Sequence, residues 1–184
     1  MALTPSTMPP LGMPLPDATL ADGRGTPYTL SALAGQHGLL VAFICNHCPY
    51  VQHLNGQLAP LGTILAEEGV GMVAISSNDP QAYPADAPAE MALQAEGLGY
   101  SFPYLFDATQ DVARAFHAAC TPDFFLFDSR LQLFYRGQFD ASRPGKGKPD
   151  GADLLGAVAA LVAGEGAPAV QQPGIGCNIK WRED

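Results

Sequence analysis

Gly38-Leu-Leu-Val-Ala-Phe-Ile44 is an unbroken apolar run that ends at a cysteine. A run of that length without alternation suits a strand buried on both faces. Val70–Ser76 repeats the pattern and predicts a second such strand. Between them the period changes: Val51, Leu54, Leu58, Leu61 and Leu65 fall at helical spacing. Pro49 to about Glu68 therefore predicts a helix, which Pro60 should kink or split in two.

The flanking segments extend the alternation. Residues 17–34 read as a short hairpin, with Asp22-Gly23 and Gly25 in the turn and Tyr28 and Leu30 starting the second arm. Asp79–Pro88 is a proline-rich loop. Ala89–Leu98 predicts a short helix, Phe102–Phe106 a brief strand and Asp111–His117 a brief helix. Phe124–Asp128 and Leu131–Phe139 form a hairpin across Asp128-Ser-Arg130, and Ala152–Ala163 is a closing helix. The resulting expectation is an α/β fold with a mixed central sheet flanked by helices and an N-terminal β-hairpin, its strand order left open. The domain spans 17–165. Residues 1–16, with prolines at 5, 9, 10, 14 and 16, are a flexible or extended lead-in, and 166–184 a Gly/Pro-rich tail.

Charge narrows the partners. A net charge of −9 and a pI near 4.6 argue against nucleic acid or an anionic membrane as the main partner. The one basic cluster, Arg143, Lys146 and Lys148, reads as a solvated loop. The N-terminus has neither the pattern of a secretory signal nor that of a transit peptide. Ala152–Ala163 is too short to cross a bilayer, so the chain is expected to be cytoplasmic. There thiols stay reduced, which leaves catalytic, redox-sensing or metal roles for paired cysteines among the four.

Cys45-Asn46-His47-Cys48-Pro49 supplies that pair. A CxxC turn at a strand-to-helix junction brings two sulfurs within bonding reach, and orphan N–H groups at a helix start favour a thiolate. Pro49 suits the first helical position, which puts Cys48 near the N-cap. His47, if protonated, would lower a neighbouring thiol; a solvent-facing loop histidine is the equal alternative. His53, His37 and His117 read as surface or structural side chains.

Three separated pieces together resemble the thioredoxin-like superfamily in its peroxiredoxin-like branch: Cys45–Pro49; Cys120-Thr121-Pro122-Asp123-Phe124-Phe125; and the lead-in hairpin with Phe102–Asp107 and Asp111–Phe116. The resemblance covers roughly residues 15–165. It implies a thioredoxin-like fold, a cis Pro122 lying against the dithiol, and Thr121 with Pro122 docking a substrate backbone. It leaves two assignments of the nucleophile open, Cys45 by analogy with thioredoxins and Cys48 by analogy with peroxiredoxins. Cys45 stands where peroxidases of the branch carry a Thr or Ser, so protein disulfides rank ahead of peroxide as substrates, with an antioxidant role as an extension. Cys120 is either an extra resolving thiol or a small buried residue, and Cys177 either a fold-back thiol or an idle one.

The implied function is a thiol–disulfide oxidoreductase cycling Cys45 and Cys48, without a bound organic cofactor or metal. Thioredoxin, glutathione or a flavoprotein system would restore the dithiol. Two alternatives come from other classes: a zinc or copper site built on the CxxC with His47, His53, Cys120 or Cys177, and a non-catalytic binding module.

Overall fold

The computed structural model describes residues 3–182. Its frame begins with β1 (Leu3–Pro5), the hairpin β2 (Thr19–Asp22) and β3 (Pro27–Thr29), and the central β4 (Gly38–Phe43). Next come α1 (Pro49–Gln52), α2 (Asn55–Glu67), β5 (Val70–Ser76), α3 (Pro88–Gly97), β6 (Tyr104–Phe106) and α4 (Asp111–Ala115). The late part holds β7 (Cys120–Thr121), β8 (Asp123–Asp128), β9 (Leu133–Gly137), α5 (Ala152–Val162) and β10 (Ile175–Asn178).

Seven strands form the main sheet in the order β3-β2-β6-β5-β4-β8-β9. β4 runs parallel to β5 and antiparallel to β8, so the sheet is mixed, with the hairpin at one edge. All six residues of β4 are buried, as an apolar run without alternation requires. The pleat then sorts them. Leu40, Ala42 and Ile44 pack with Leu58, Leu61 and Leu65 of α2 and Leu154 and Val158 of α5. Leu39, Val41 and Phe43 face the opposite layer with Val112 and Phe116. There Phe43, Phe116 and Phe125 stack edge to face, with ring centroids 5.2 to 5.8 Å apart. Two full cores on one strand fix where β4 ends, and therefore where Cys45 begins.

Several local expectations shift. The helical segment does break, but at His53–Leu54, and Pro60 sits inside α2. The carbonyl that Pro60 leaves without a backbone partner is that of Gly56, inside α2, so the ring is accommodated within the helix and the break lies before it. Leu30 opens a 3-10 turn, Leu30–Leu33, rather than the second hairpin arm, and is fully buried. β9 is shorter than Leu131–Phe139 at both ends: residues 129–131 belong to the turn, Gln132 bridges Pro14, and the strand stops at Gly137.

The lead-in and the tail meet in a second sheet, β1-β10-β7. Within it Cys177 is registered opposite Leu3 on one side and Thr121 on the other. Among the described residues no helix is long and apolar enough to cross a membrane.

Candidate active site

β4 delivers the reactive turn. Ile44 N–H still bonds the Ile75 carbonyl at 3.0 Å, after which the chain leaves the sheet. Cys48 is the N-cap of α1, with extended backbone (φ −74°, ψ 121°) and Pro49 next, and its carbonyl accepts from Val51 and Gln52 N–H at 3.0 and 2.9 Å. Asn46 pins the turn: its carbonyl accepts from Gln52 Nε2 at 3.0 Å and its side-chain oxygen from the Tyr104 hydroxyl at 3.1 Å. Both cysteines are fully buried.

The Thr121–Pro122 peptide is cis and lies across from this turn. Thr121 Oγ1 is 3.4 Å from Cys45 Sγ, and the Thr121 carbonyl oxygen is 3.1 Å from Cys48 Sγ. A third sulfur completes the group, with Cys177 Sγ on β10 only 2.8 Å from Cys48 Sγ. Cys120 turns elsewhere; its sulfur contacts Ser6 Oγ at 4.0 Å and the Pro122 carbonyl at 3.8 Å.

These contacts polarise the pair. Hydrogen bonding with Cys45, and then with Cys177, Thr121 and Val51, works against burial and pulls Cys48 down to about 5. The Thr121 carbonyl holds the proton of the Cys48 thiol form and so opposes ionisation. The hydrogen bond with Cys48 raises Cys45 far above the thiol range, helped by burial and by the nearby Asp86 carboxylate. Burial, and the bond to Cys48, push Cys177 up to about 12. One thiolate among three thiols is the arrangement these groups favour.

His47 is held by an acid the sequence did not single out. Asp86, fully buried, accepts from His47 Nδ1 at 2.6 Å, from the backbone N–H groups of Asn46 and His47 at 2.8 and 3.2 Å, and from Asn78 Nδ2 at 2.8 Å. An acceptor at Nδ1 assigns that nitrogen the proton. The imidazole stacks on Tyr83 at 4.9 Å, and Nδ1 is 3.9 Å from Cys45 Sγ.

A cis-proline segment against a CxxC turn on a mixed sheet is a thioredoxin-like arrangement. The Redoxin family profile matches residues 10–154, most of the chain. The chain belongs to the Redoxin family. Among solved structures, an uncharacterized conserved protein from Geobacillus kaustophilus is 45% identical with a TM-score of 0.97, covering 100% of this chain and 98% of that one. Peroxidoxin BcpB from Mycobacterium tuberculosis is 22% identical with a TM-score of 0.62, over 83% of this redoxin and 96% of that chain. A secreted disulfide oxidoreductase of the same organism is 17% identical with a TM-score of 0.61, over 78% and 95%. No curated protein matches. Membership gives this redoxin thioredoxin-like redox chemistry of the thiol oxidoreductase kind.

Of the residues considered from the sequence, the redoxin fold gathers Cys45, His47, Cys48, Thr121 and Pro122, and of the two readings left open for Cys177 it brings the folded-back one to Cys48. His53 makes its hydrogen bond elsewhere, with Nε2 2.9 Å from Ser142 Oγ. The donor atoms of Cys45, His47 and Asp86 lie within 4.8 Å of one another, the one such group among the described residues. A cation bound through His47 Nδ1 would have to displace its bond to Asp86. Asp86 carried one faint signal, being one of two acids in the proline-rich loop Asp79–Pro88. Nothing in the spacing linked it to His47, 39 residues before it in a different loop.

Proposed function

We propose that this redoxin is a thiol–disulfide oxidoreductase in which Cys48 attacks and Cys45 resolves. The observation that carries the reading is the setting of Cys48, at the N-cap of α1 with its sulfur 3.1 Å from the Thr121 carbonyl and 2.8 Å from Cys177 Sγ, where hydrogen bonding with Cys45 lowers Cys48 and raises Cys45. The Cys48 thiolate attacks a substrate disulfide and forms a mixed disulfide, releasing one substrate thiolate. Cys48 is then no longer charged, so the main cause holding the Cys45 proton disappears. Cys45 ionises, attacks Cys48 Sγ and expels the second substrate thiolate, leaving a Cys45–Cys48 disulfide. The first step thereby primes the second. An external dithiol or glutathione returns the pair to the reduced form, and no organic cofactor enters.

Asp86 sets the timing. The carboxylate near Cys45 disfavours early ionisation of the wrong sulfur. Protein disulfides remain the first substrate class and peroxide the second, because Cys45 occupies the position where peroxide-reducing relatives need a hydroxyl. Reduction of a protein disulfide by the full chain, coupled to glutathione, tests the reading, with hydrogen peroxide consumption measured alongside. Turnover lost in Cys48→Ser, and a mixed disulfide on Cys48 trapped when Cys45→Ser and Cys177→Ser are combined, are expected. Undiminished turnover in Cys48→Ser would overturn it.

A further inference from the structure

β10 occupies a telling place. It lies antiparallel on β7, so the backbone edge at Thr121, beside cis-Pro122 and the dithiol, is filled by the protein's own residues. Gly176 permits the approach: a Cβ there would fall 1.9 Å from the Thr121 carbonyl oxygen. β1 closes the other side of β10. Beyond it, the Lys180 N–H donates to Asn78 Oδ1 at 2.8 Å, and the Lys180 carbonyl accepts from Asp79 N–H and Gln110 Nε2 at 3.0 and 2.8 Å. The segment is fastened on three sides, and what it presents to Cys48 is a sulfur at 2.8 Å. Asn78 also donates to Asp86, which ties the strand's anchor to the CxxC turn.

We propose that Cys177 is a third exchange thiol of this site, which takes Cys48 from Cys45 and stores the oxidised state as a Cys48–Cys177 disulfide. The inference rests on the Cys45/Cys48 cycle described above. In the step, Cys177 Sγ loses its proton and attacks Cys48 Sγ. The Cys48–Cys177 bond forms, the Cys45–Cys48 bond breaks, and its electron pair leaves on Cys45 Sγ, which takes up a proton. No oxidant is consumed, since one disulfide replaces another. The product fastens β10 to the active-site turn covalently. An extended protein strand can dock at Thr121 only where β10 lets go, so this bond closes that edge in the oxidised protein and leaves entry to small thiols.

The test maps disulfides in the full chain. Wild type, Cys45→Ser and Cys177→Ser are equilibrated across glutathione mixtures, quenched in acid, alkylated and mapped by mass spectrometry. A Cys48–Cys177 linkage is expected in the wild type, which needs no variant to fold, and in nearly every chain of Cys45→Ser. Because that bond closes a long loop, oxidised Cys45→Ser should melt about 10 °C above its reduced form. In Gly176→Ala the linkage should form about a hundredfold more slowly, the sulfurs having lost their near-attack placement. Cys48 and Cys177 never joined in either the wild type or Cys45→Ser overturns the inference. If Cys177→Ser then still closes Cys45–Cys48, the oxidoreductase reading stands alone. If Cys177→Ser closes nothing while Cys45→Ser links Cys48 to Cys177, the inferred bond stands and the Cys45/Cys48 cycle falls.

Discussion

Asp86→Asn tests the least legible part of the site. The carboxylate receives two backbone N–H groups at Oδ1, and His47 Nδ1 with Asn78 Nδ2 at Oδ2. An amide oxygen can keep the backbone pair, but the amide NH₂ then faces two donors. His47 can shift its proton to Nε2 and accept. Asn78 cannot turn over, because its own oxygen is held by Lys180 N–H. The net loss is one charge-assisted hydrogen bond plus one stranded donor, about 3 kcal/mol. In a chain of this length that is about 6 to 12 °C in Tm. Removing the charge beside Cys45 also lets that thiol ionise at lower pH. Thermal unfolding followed by circular dichroism and a thiolate absorbance titration read the two effects. A Tm within about 2 °C of the wild type, well inside the expected loss, together with an unchanged Cys45 titration, refutes the reasoning.

Three further outcomes follow from the same geometry. Cys45→Ala removes the first donor to Cys48, so its thiolate absorbance midpoint should rise from about 5 toward the ordinary thiol value. Asp123 is fully buried, with Ser6 Oγ 2.6 Å from Oδ1, and burial raises it from 3.8 to about 7. Its contribution to stability is therefore whole below the unfolded value of 3.8 and is lost as pH rises through about 7. Denaturant unfolding should weaken by up to ~4 kcal/mol across that window, and Asp123→Asn should flatten the slope. Gly38→Ala places a Cβ 1.9 Å from the Phe127 carbonyl oxygen at a φ of +148°, so β4 and β8 must part. A loss above ~3 kcal/mol in chemical unfolding is expected.

The fold was readable where one periodicity dominated. The runs at Gly38–Ile44 and Val70–Ser76 could only be doubly buried strands, and they proved to be the parallel pair at the centre of the sheet. The dithiol and the Thr121–Pro122 segment were likewise visible, because CxxC and Thr-Pro are local patterns. What escaped was long-range. Ile175–Asn178 is four residues in a Gly/Pro-rich tail, and its strand character comes from β1 and β7, far away in the chain. Cys177 therefore reads as a tail thiol until the pairing is known. Asp86 lies in a loop without periodicity, and its role depends on Asn78 and His47 meeting it in space. Pro60 misled for the opposite reason: a strong local rule placed the break too late, while α2 accommodated the ring in its interior.

Cys48 carries the charge of this site while its neighbours keep their protons. Thiolate absorbance of the reduced protein, followed with pH in the wild type and in Cys48→Ser, measures this without needing reagent access to buried sulfurs. One thiolate should appear with a midpoint near 5 and vanish in Cys48→Ser, with the other cysteines silent until strongly alkaline pH. An acidic-range thiolate that survives in Cys48→Ser, or four thiols that stay protonated to ordinary values, would contradict it.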